Sequence, residues 1–261
     1  MNEEELIKKI TEKKEFSNLP KEDVEIAFSK FDKEENSDYQ KLKLTRDFLR
    51  KVYSSFSSRK LLNIKDKDPE WVLMKHKSTK ERFHFYSEVY SRIIKEYEKS
   101  KSLSIIDLGC GVNGFSLDFL KKINPSAKYV GVEAIGQLCK LANFYFKSKK
   151  EESKVTHLSL FNLDEVANLI ESEKHPKIVL LFKVVDSLEV MKRNYSKDLL
   201  QRIVPTAEKV VVSFATKSLG SRKKFFVQRE WLIKFIQNNF DVKDDFEIEG
   251  ERYLIFSKKD L

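Results

Sequence analysis

Apolar residues recur at helical spacing through the first hundred positions and at strand spacing after them. Segments 3–15, 21–31, 37–53 and 80–99 repeat apolar residues three and four apart, which predicts amphipathic helices. In the last, Phe83, Tyr86, Val89, Tyr90, Ile93, Ile94 and Tyr97 fall on one face, a stripe that predicts core packing. Pro20 suits the start of the second helix. Ser78 and Glu81, in S-T-K-E, predict a capping box at the head of the fourth. From residue 103 the pattern changes. Short β-branched runs at 103–108, 128–133, 155–160, 177–183 and 208–214 predict strands. Helices are predicted between and after them, at 115–123, 136–149, 162–173, 187–203 and 228–239. Such alternation predicts an open, mostly parallel α/β sheet. Segments 241–248 and 252–258, joined at Gly250, predict a terminal antiparallel hairpin. The expected organisation is a helical domain over 1–100 and an α/β domain over 101–261.

Glycine sharpens this division. None of the seven glycines occurs in the first 108 residues, and five fall between 109 and 136. Asp107-Leu-Gly-Cys-Gly-Val-Asn-Gly114 follows the first predicted strand and leads into a helix, with Gly109, Gly111 and Gly114 matching G-x-G-x-x-G. That loop serves NAD as well as S-adenosylmethionine (SAM). Asp107 ends the strand, where a carboxylate can order the loop and receive a cationic amino-acid group. No downstream segment offers a hydride-transfer acid, and the terminal hairpin is the usual ending of a SAM enzyme. Glu133 ends the second strand, where it can accept both hydroxyls of a ribose from either cofactor. The reading is therefore a Rossmann-like SAM-dependent methyltransferase sheet, with an NAD enzyme as the alternative.

Charge suggests the partner. Residues 1–40 carry net −5, residues 41–99 net +8 and residues 100–261 net +6. A basic middle segment suits a polyanion such as nucleic acid. Lys41, Lys43, Arg46, Arg50 and Lys51 fall on or near one helical face, as a candidate RNA-docking patch. No apolar run is long enough to span a membrane, and no apolar signal core opens the chain. Two cysteines, Cys110 and Cys139, make neither a disulfide scaffold nor a four-cysteine zinc site, and four scattered histidines suggest no metal centre. A cytoplasmic monomer is expected.

The fourth strand ends Leu181-Phe-Lys-Val-Val-Asp186, without the [N/D]-P-P-[F/Y] run usual in enzymes that methylate exocyclic amines. Guanine N7 is an attractive acceptor instead, because its lone pair needs no proton removed before attack. A different RNA acceptor, such as adenine N1, and a non-catalytic RNA-binding assembly factor are the alternatives.

Two further segments are distinctive: His76-Lys-Ser-Thr-Lys-Glu-Arg82 and Ser213-Phe-Ala-Thr-Lys-Ser-Leu-Gly-Ser-Arg222. With the Asp107–Asn113 loop and Phe182-Lys183, they resemble the aminoglycoside-resistance 16S rRNA (guanine(1405)-N7)-methyltransferases over about residues 70–225. That family reads H-x-S-T-x-E-R, D-x-x-C-G-x-N-P, F-K and S-F-P-T-[RK]-S-L-G-G in this order. The resemblance implies a helical N-terminal domain docking on the small ribosomal subunit and methyl transfer to a guanine N7 in helix 44 of 16S rRNA. It implies that Arg82 pairs with the SAM carboxylate in a site shaped by His76, and that Asp107, Gly109 and Gly111 form the cofactor loop. Glu133 would hold the ribose, and Phe182 and Lys183 would line the site. Ser213, Thr216, Lys217 and Ser218 would border the flipped guanine. Arg222, in Ser221-Arg-Lys-Lys224, is a candidate phosphate contact. The chain departs from the family at Gly114, Ala215 and Ser221. The acid expected after strand three, near adenine, is replaced by Phe161-Asn162, and Asn162 is the candidate partner of the adenine amino group.

Overall fold

The computed structural model describes residues 1–54, 61, 67–216 and 229–259. Its first part is helical: α1 (Glu3–Thr11), α2 (Lys21–Ser29), α3 (Asp38–Leu49) with a π-helical continuation at Arg50–Ser54, α4 (Pro69–Lys75), α5 (Lys77–Arg82) and α6 (Tyr86–Ile94). Caps fix several of the starts. Asn2 and Glu5 form a capping box on α1, Ser37 and Gln40 form one on α3, and Asp68 accepts from the Trp71 amide ahead of Pro69 on α4. Pro20 stands at the N-cap of α2, as its position predicts.

The long helix predicted over 80–99 is not continuous. α5 starts at Lys77, a 3₁₀ turn at Phe83–Phe85 interrupts, and α6 follows. The stripe survives on α6, where Tyr86, Val89, Tyr90, Ile93 and Ile94 are buried, while Phe83 and Tyr97 pack at its margin. The break falls between Arg82 and Tyr86, both of which are buried. The predicted capping box is also absent. Ser78 lies inside α5 and accepts from Arg82, Glu81 pairs with Lys183, and the N-cap is His76, whose side chain does not cap the helix.

The rest is the predicted α/β fold. Strands β1 (Leu103–Leu108), β2 (Ala127–Glu133), β3 (Lys154–His157), β4 (Lys177–Phe182), β5 (Lys209–Ala215), β6 (Phe240–Ile248) and β7 (Glu251–Lys258) form one sheet in the order β3-β2-β1-β4-β5-β7-β6. The first five are parallel, and β7 runs antiparallel between β5 and β6. Glu249 and Gly250 both take positive φ (46° and 84°), the requirement of a tight two-residue hairpin turn. Connecting helices are α7 (Leu117–Ile123), α8 (Gly136–Ser148), α9 (Leu163–Ser172), α10 (Val185–Met191), α11 (Tyr195–Ile203) and α12 (Glu230–Asn239).

Three further predicted elements differ by more than two residues or divide. The first helix ends at Thr11, and β3 stops at His157, opposite the last residue of β2. The helix predicted over 187–203 divides because Asn194 adopts a left-handed conformation (φ 65°), and the Glu189 carboxylate accepts from the Asn194 and Ser196 amides at 2.7 and 2.9 Å. An acid at that helix start opposes the exposed positive end of the backbone dipole.

Alternation along the strands builds two apolar layers. Ile105, Ile178, Leu180, Val211, Tyr253 and Ile255 face one side, where they share a cluster with Leu6, Phe16, Phe28, Tyr86 and Tyr90 of the helical segment. Ile106, Val179, Leu181, Val210, Val212 and Leu254 face α9, α11 and α12 on the other. The change of architecture near residue 100 is therefore crossed by a shared core.

Candidate active site

The chain reverses direction across the sheet between β1 and β4, the usual crevice for a ligand in an open α/β sheet. A pocket lies there. Asp107 from β1, Glu133 from β2, Phe182 from β4 and Lys183 just after it meet His76 and Arg82 in its wall. Gly109 and Gly111 turn the β1 loop with φ of 71° and 52°, a region that costs side-chain-bearing residues energy. A Cβ on Gly109 would stand 2.5 Å from Val184 Cγ2. Gly109→Ala should therefore lose about 1–3 kcal/mol of stability and push Val184 toward the pocket. Urea unfolding beside ligand calorimetry checks both effects, and an alanine variant with native stability and affinity would refute this role for the loop.

Asp107 is fully buried. Its Oδ2 accepts from Tyr129 Oη (2.6 Å) and Asn113 Nδ2 (2.7 Å), whereas its Oδ1 has no hydrogen-bond partner. Burial raises the Asp107 pKa above the ordinary value, opposed by the Tyr129 and Asn113 bonds and the Arg82 charge. Asn113 Oδ1 accepts in turn from Tyr86 Oη at 2.6 Å, which ties the loop to α6.

Arg82 sits beside this chain of bonds, with its guanidinium 4.4 Å from the centre of the Phe182 ring. Its Nη2 donates to Glu251 Oε1 at 2.6 Å, its Nε to Tyr253 Oη at 3.1 Å, and longer contacts reach Asn113 and Ser78. Four of its five N–H groups are thus directed into the protein, and one on Nη1 remains for a ligand. Glu251 is the hub. It also meets Lys183 Nζ at 3.0 Å and accepts from Ser213 Oγ at 2.5 Å. Burial alone would raise its carboxyl, but Arg82 and Lys183 outweigh burial and hold it below the usual range. Lys183 pairs with Glu81 as well (2.8 Å) and holds a left-handed backbone, φ 56°. Glu251 went unseen in the sequence, since nothing local distinguishes the first acid of an edge-pairing strand.

Glu133 accepts from the Gly111 and Ile135 amides, both at 2.8 Å, and burial raises its pKa against those bonds. Burial, then the Arg82 and Lys183 charges, lower His76 to about 4. The imidazole should remain neutral down to about pH 4 in the folded protein. An unfolded chain would protonate it near 6.5, so the folded state loses stability as pH falls from 6.5 toward 4. A two-dimensional NMR titration would show this, and an imidazole that titrates near 6.5 would contradict it.

The remaining predicted residues lie elsewhere. Asn162 precedes α9 and donates to Glu165 Oε1 at 2.7 Å; Phe161 lines the pocket instead. Ser213 is fully buried behind the pocket wall, and Thr216 donates to Glu247 at 2.8 Å. Lys217, Ser218 and Arg222 lie outside the described residues. On α3 and its continuation, Lys41 pairs with Asp32 (2.6 Å), Arg46 donates to the Lys9 carbonyl, and Arg50 binds Glu15 and Asp47, both at 2.8 Å. Lys43 is exposed. The acids of the N-terminal segment thus offset much of the charge expected on this face. Among the described residues, no cluster of three or more histidine, cysteine or acidic side chains could hold a metal, and no helix is long and apolar enough to cross a membrane.

Comparison with known proteins fits this geometry. A family model, the ribosomal RNA methyltransferase (FmrO) family, matches residues 66–237. The chain belongs to that family. Its match contains the H-x-S-T-x-E-R segment, the β1 loop and the β4 end, so the resemblance read from those motifs stands. No curated protein sequence matches the chain. Among solved structures, the 16S rRNA methyltransferase RmtF in complex with S-adenosyl-L-homocysteine superposes with a TM-score of 0.78 at 19% identity, covering 99% of this chain and 100% of that one. The 16S rRNA methylase RmtB gives 0.76 at 18% identity and 99% coverage of both chains. The 16S rRNA methylase ArmA gives 0.59 at 22% identity, covering 74% of this chain and 92% of that one. At these identities the likeness is one of fold, and it includes the terminal antiparallel hairpin expected from the sequence.

Proposed function

We propose that this member of the ribosomal RNA methyltransferase family transfers a methyl group from SAM to N7 of a guanine in helix 44, the decoding site of 16S rRNA in the small ribosomal subunit. The residues present fit the cofactor. Asp107 Oδ1 is a buried acceptor without a partner in the pocket wall, suited to the cationic amino group of SAM, and Arg82 keeps one N–H for its carboxylate. Glu133 has the lone pairs to accept ribose hydroxyls beyond the two amides it already holds. When bound, SAM supplies an electrophilic methyl group on a sulfonium.

The observation that carries the choice of acceptor is the charge pairing where β4 ends. Glu81 and Glu251 are both paired with Lys183, and Glu251 also with Arg82, so neither is a ready general base. Such a site suits a nucleophile that needs no proton removed. The work left to the protein is to hold N7 in line with the methyl at near-attack distance. The Glu81–Lys183–Glu251–Arg82 set carries no net charge, so it does not oppose the cation that forms on the alkylated guanine. A stacked base must leave its helix to reach this pocket. Thr216, Lys217 and Ser218 are the candidates to border it, with Lys43 and Arg222 on phosphates. The methylated, positively charged N7 would repel cationic aminoglycosides and remove an acceptor they use, which gives drug resistance a physical basis.

Borohydride reduction followed by aniline tests the acceptor, because it cleaves RNA at 7-methylguanosine. Subunits incubated with the protein and SAM should yield one new break, in helix 44. Incorporated methyl that resists this scission would place the acceptor at another atom, such as adenine N1.

A further inference from the structure

The pocket has a carboxylate from the helical segment that no motif announced. Asp23 belongs to α2 and is only 1% exposed. Its Oδ1 accepts from Tyr53 Oη and the Ser159 hydroxyl lies beside the carboxylate, but Oδ2 is buried with no hydrogen bond of its own, and the residue lines the same pocket as Asp107 and Glu133. Leaving a carboxylate oxygen buried and unpaired costs free energy that a donor from a ligand would recover. α2 is also firmly seated there. The preceding segment is stitched to the start of α8, with the Gly136 amide donating to the Asn18 carbonyl (3.0 Å) and Gln137 Nε2 to the Lys14 carbonyl (2.9 Å). A Cβ on Gly136 would come within 2.9 Å of Asn18 Cβ.

The surroundings select the donor. Glu133, which ends β2, is placed for the ribose, and the residues after β2 and β3 wall this part of the pocket with Ile135, Leu138, Leu160 and Phe161. Apolar walls of this kind suit a flat heteroaromatic ring, and an acceptor among them suits an N–H on its edge. Adenine carries one such group, its exocyclic amine. Asn162, the residue expected to bind that amine, is instead bonded to Glu165.

We propose that Asp23 Oδ2 accepts a hydrogen bond from the adenine amino group of the cofactor, so that the helical segment completes the nucleoside site. This rests on the reading of the pocket as the SAM site. The helical segment then has two duties, since the element expected to dock on RNA also selects the cofactor base.

The test is calorimetric, on the whole chain, with S-adenosyl-L-homocysteine and with its 6-oxo analogue, S-inosyl-L-homocysteine. The wild type should prefer the adenosyl ligand by about ten- to hundred-fold, the range for a hydrogen bond to a charged group. Asp23→Ala should weaken adenosyl binding by a similar factor and leave the inosyl ligand within about twofold, since that bond exists only with the amine. Asp23→Asn preserves shape and can still accept from Tyr53, so its amide NH₂ would face the ligand. It should reverse the preference in favour of the 6-oxo ring, a change that loss of packing alone would not produce. Circular dichroism and thermal melting confirm that each variant is folded; should Asp23→Ala fail to fold, the isosteric Asp23→Asn decides alone. Unchanged selectivity in a folded Asp23→Asn variant, or equal weakening of both ligands, would overturn the assignment. A wild type that binds neither ligand would overturn the SAM reading itself, which is a distinguishable result.

Discussion

Replacing Glu251 with alanine is expected to lower the unfolding free energy by about 3–5 kcal/mol, the range for stripping a buried cation of its partner. The expectation follows from what surrounds the carboxylate. Arg82 is almost wholly buried, with its side chain 1% exposed, and Glu251 is the carboxylate it pairs with. Lys183 would keep Glu81 and Ser213 would lose its acceptor, but Arg82 would retain only neutral partners. Glu251→Gln keeps an acceptor oxygen for Arg82 and Ser213 and should recover part of the loss. The pH dependence has a definite sign. A carboxyl whose folded pKa lies below its ordinary value of 4.5 contributes stability above that pH and loses it as pH falls through the lower folded value. The wild type should therefore lose more stability below about pH 4.5 than Glu251→Gln does. Urea unfolding at several pH values measures both effects. An alanine variant as stable as the wild type would show that this hub contributes little.

Removing the other half of the pair should strike binding hardest. Arg82→Ala is expected to weaken S-adenosyl-L-homocysteine by about ten- to hundred-fold, the equivalent of a charge-assisted hydrogen bond to the ligand carboxylate. Loss of the guanidinium also frees Phe182, on which it stacks, and removes one partner each from Tyr253 and Asn113. Arg82→Lys should not restore affinity, because an ammonium cannot hold Glu251, Tyr253 and a ligand from one rigid fork. Calorimetry on the folded variants, at a temperature well below each melting transition, separates affinity from stability. Native affinity in either variant would place the ligand carboxylate elsewhere.

Much of this site could be seen in the chain beforehand because it is built from strand ends. Strand pattern locates Asp107, Glu133 and Phe182, and parallel order then brings them together at the C-terminal ends of neighbouring strands. Gly109 and Gly111 stand out because glycine is otherwise scarce. Local pattern carried no information on pairings that arise only when distant segments meet. Arg82 and Glu251 are 169 positions apart, and the hairpin that carries Glu251 predicts a strand but not its partner. Asp23 did leave a trace, as an acid on the face of α2 that buries Val24, Ala27 and Phe28. A charge on an apolar face calls for a partner, which spacing along the chain does not name. Asn162, the candidate for the adenine amine, shows the reverse: spacing along the chain gave no sign that its amide would bond Glu165. The charge of the α3 face was only partly legible for a related reason, because charge counted along the chain ignores the acids that Lys41 and Arg50 meet in space.

The central claim is methyl transfer from SAM to the small ribosomal subunit. The most direct measurement incubates the purified protein with tritiated SAM and either intact small subunits or deproteinised 16S rRNA, then locates the label. The account predicts incorporation at one guanine of helix 44 in intact subunits, saturating near one methyl per particle. Tight SAM binding without transfer to subunits or to naked rRNA would contradict it.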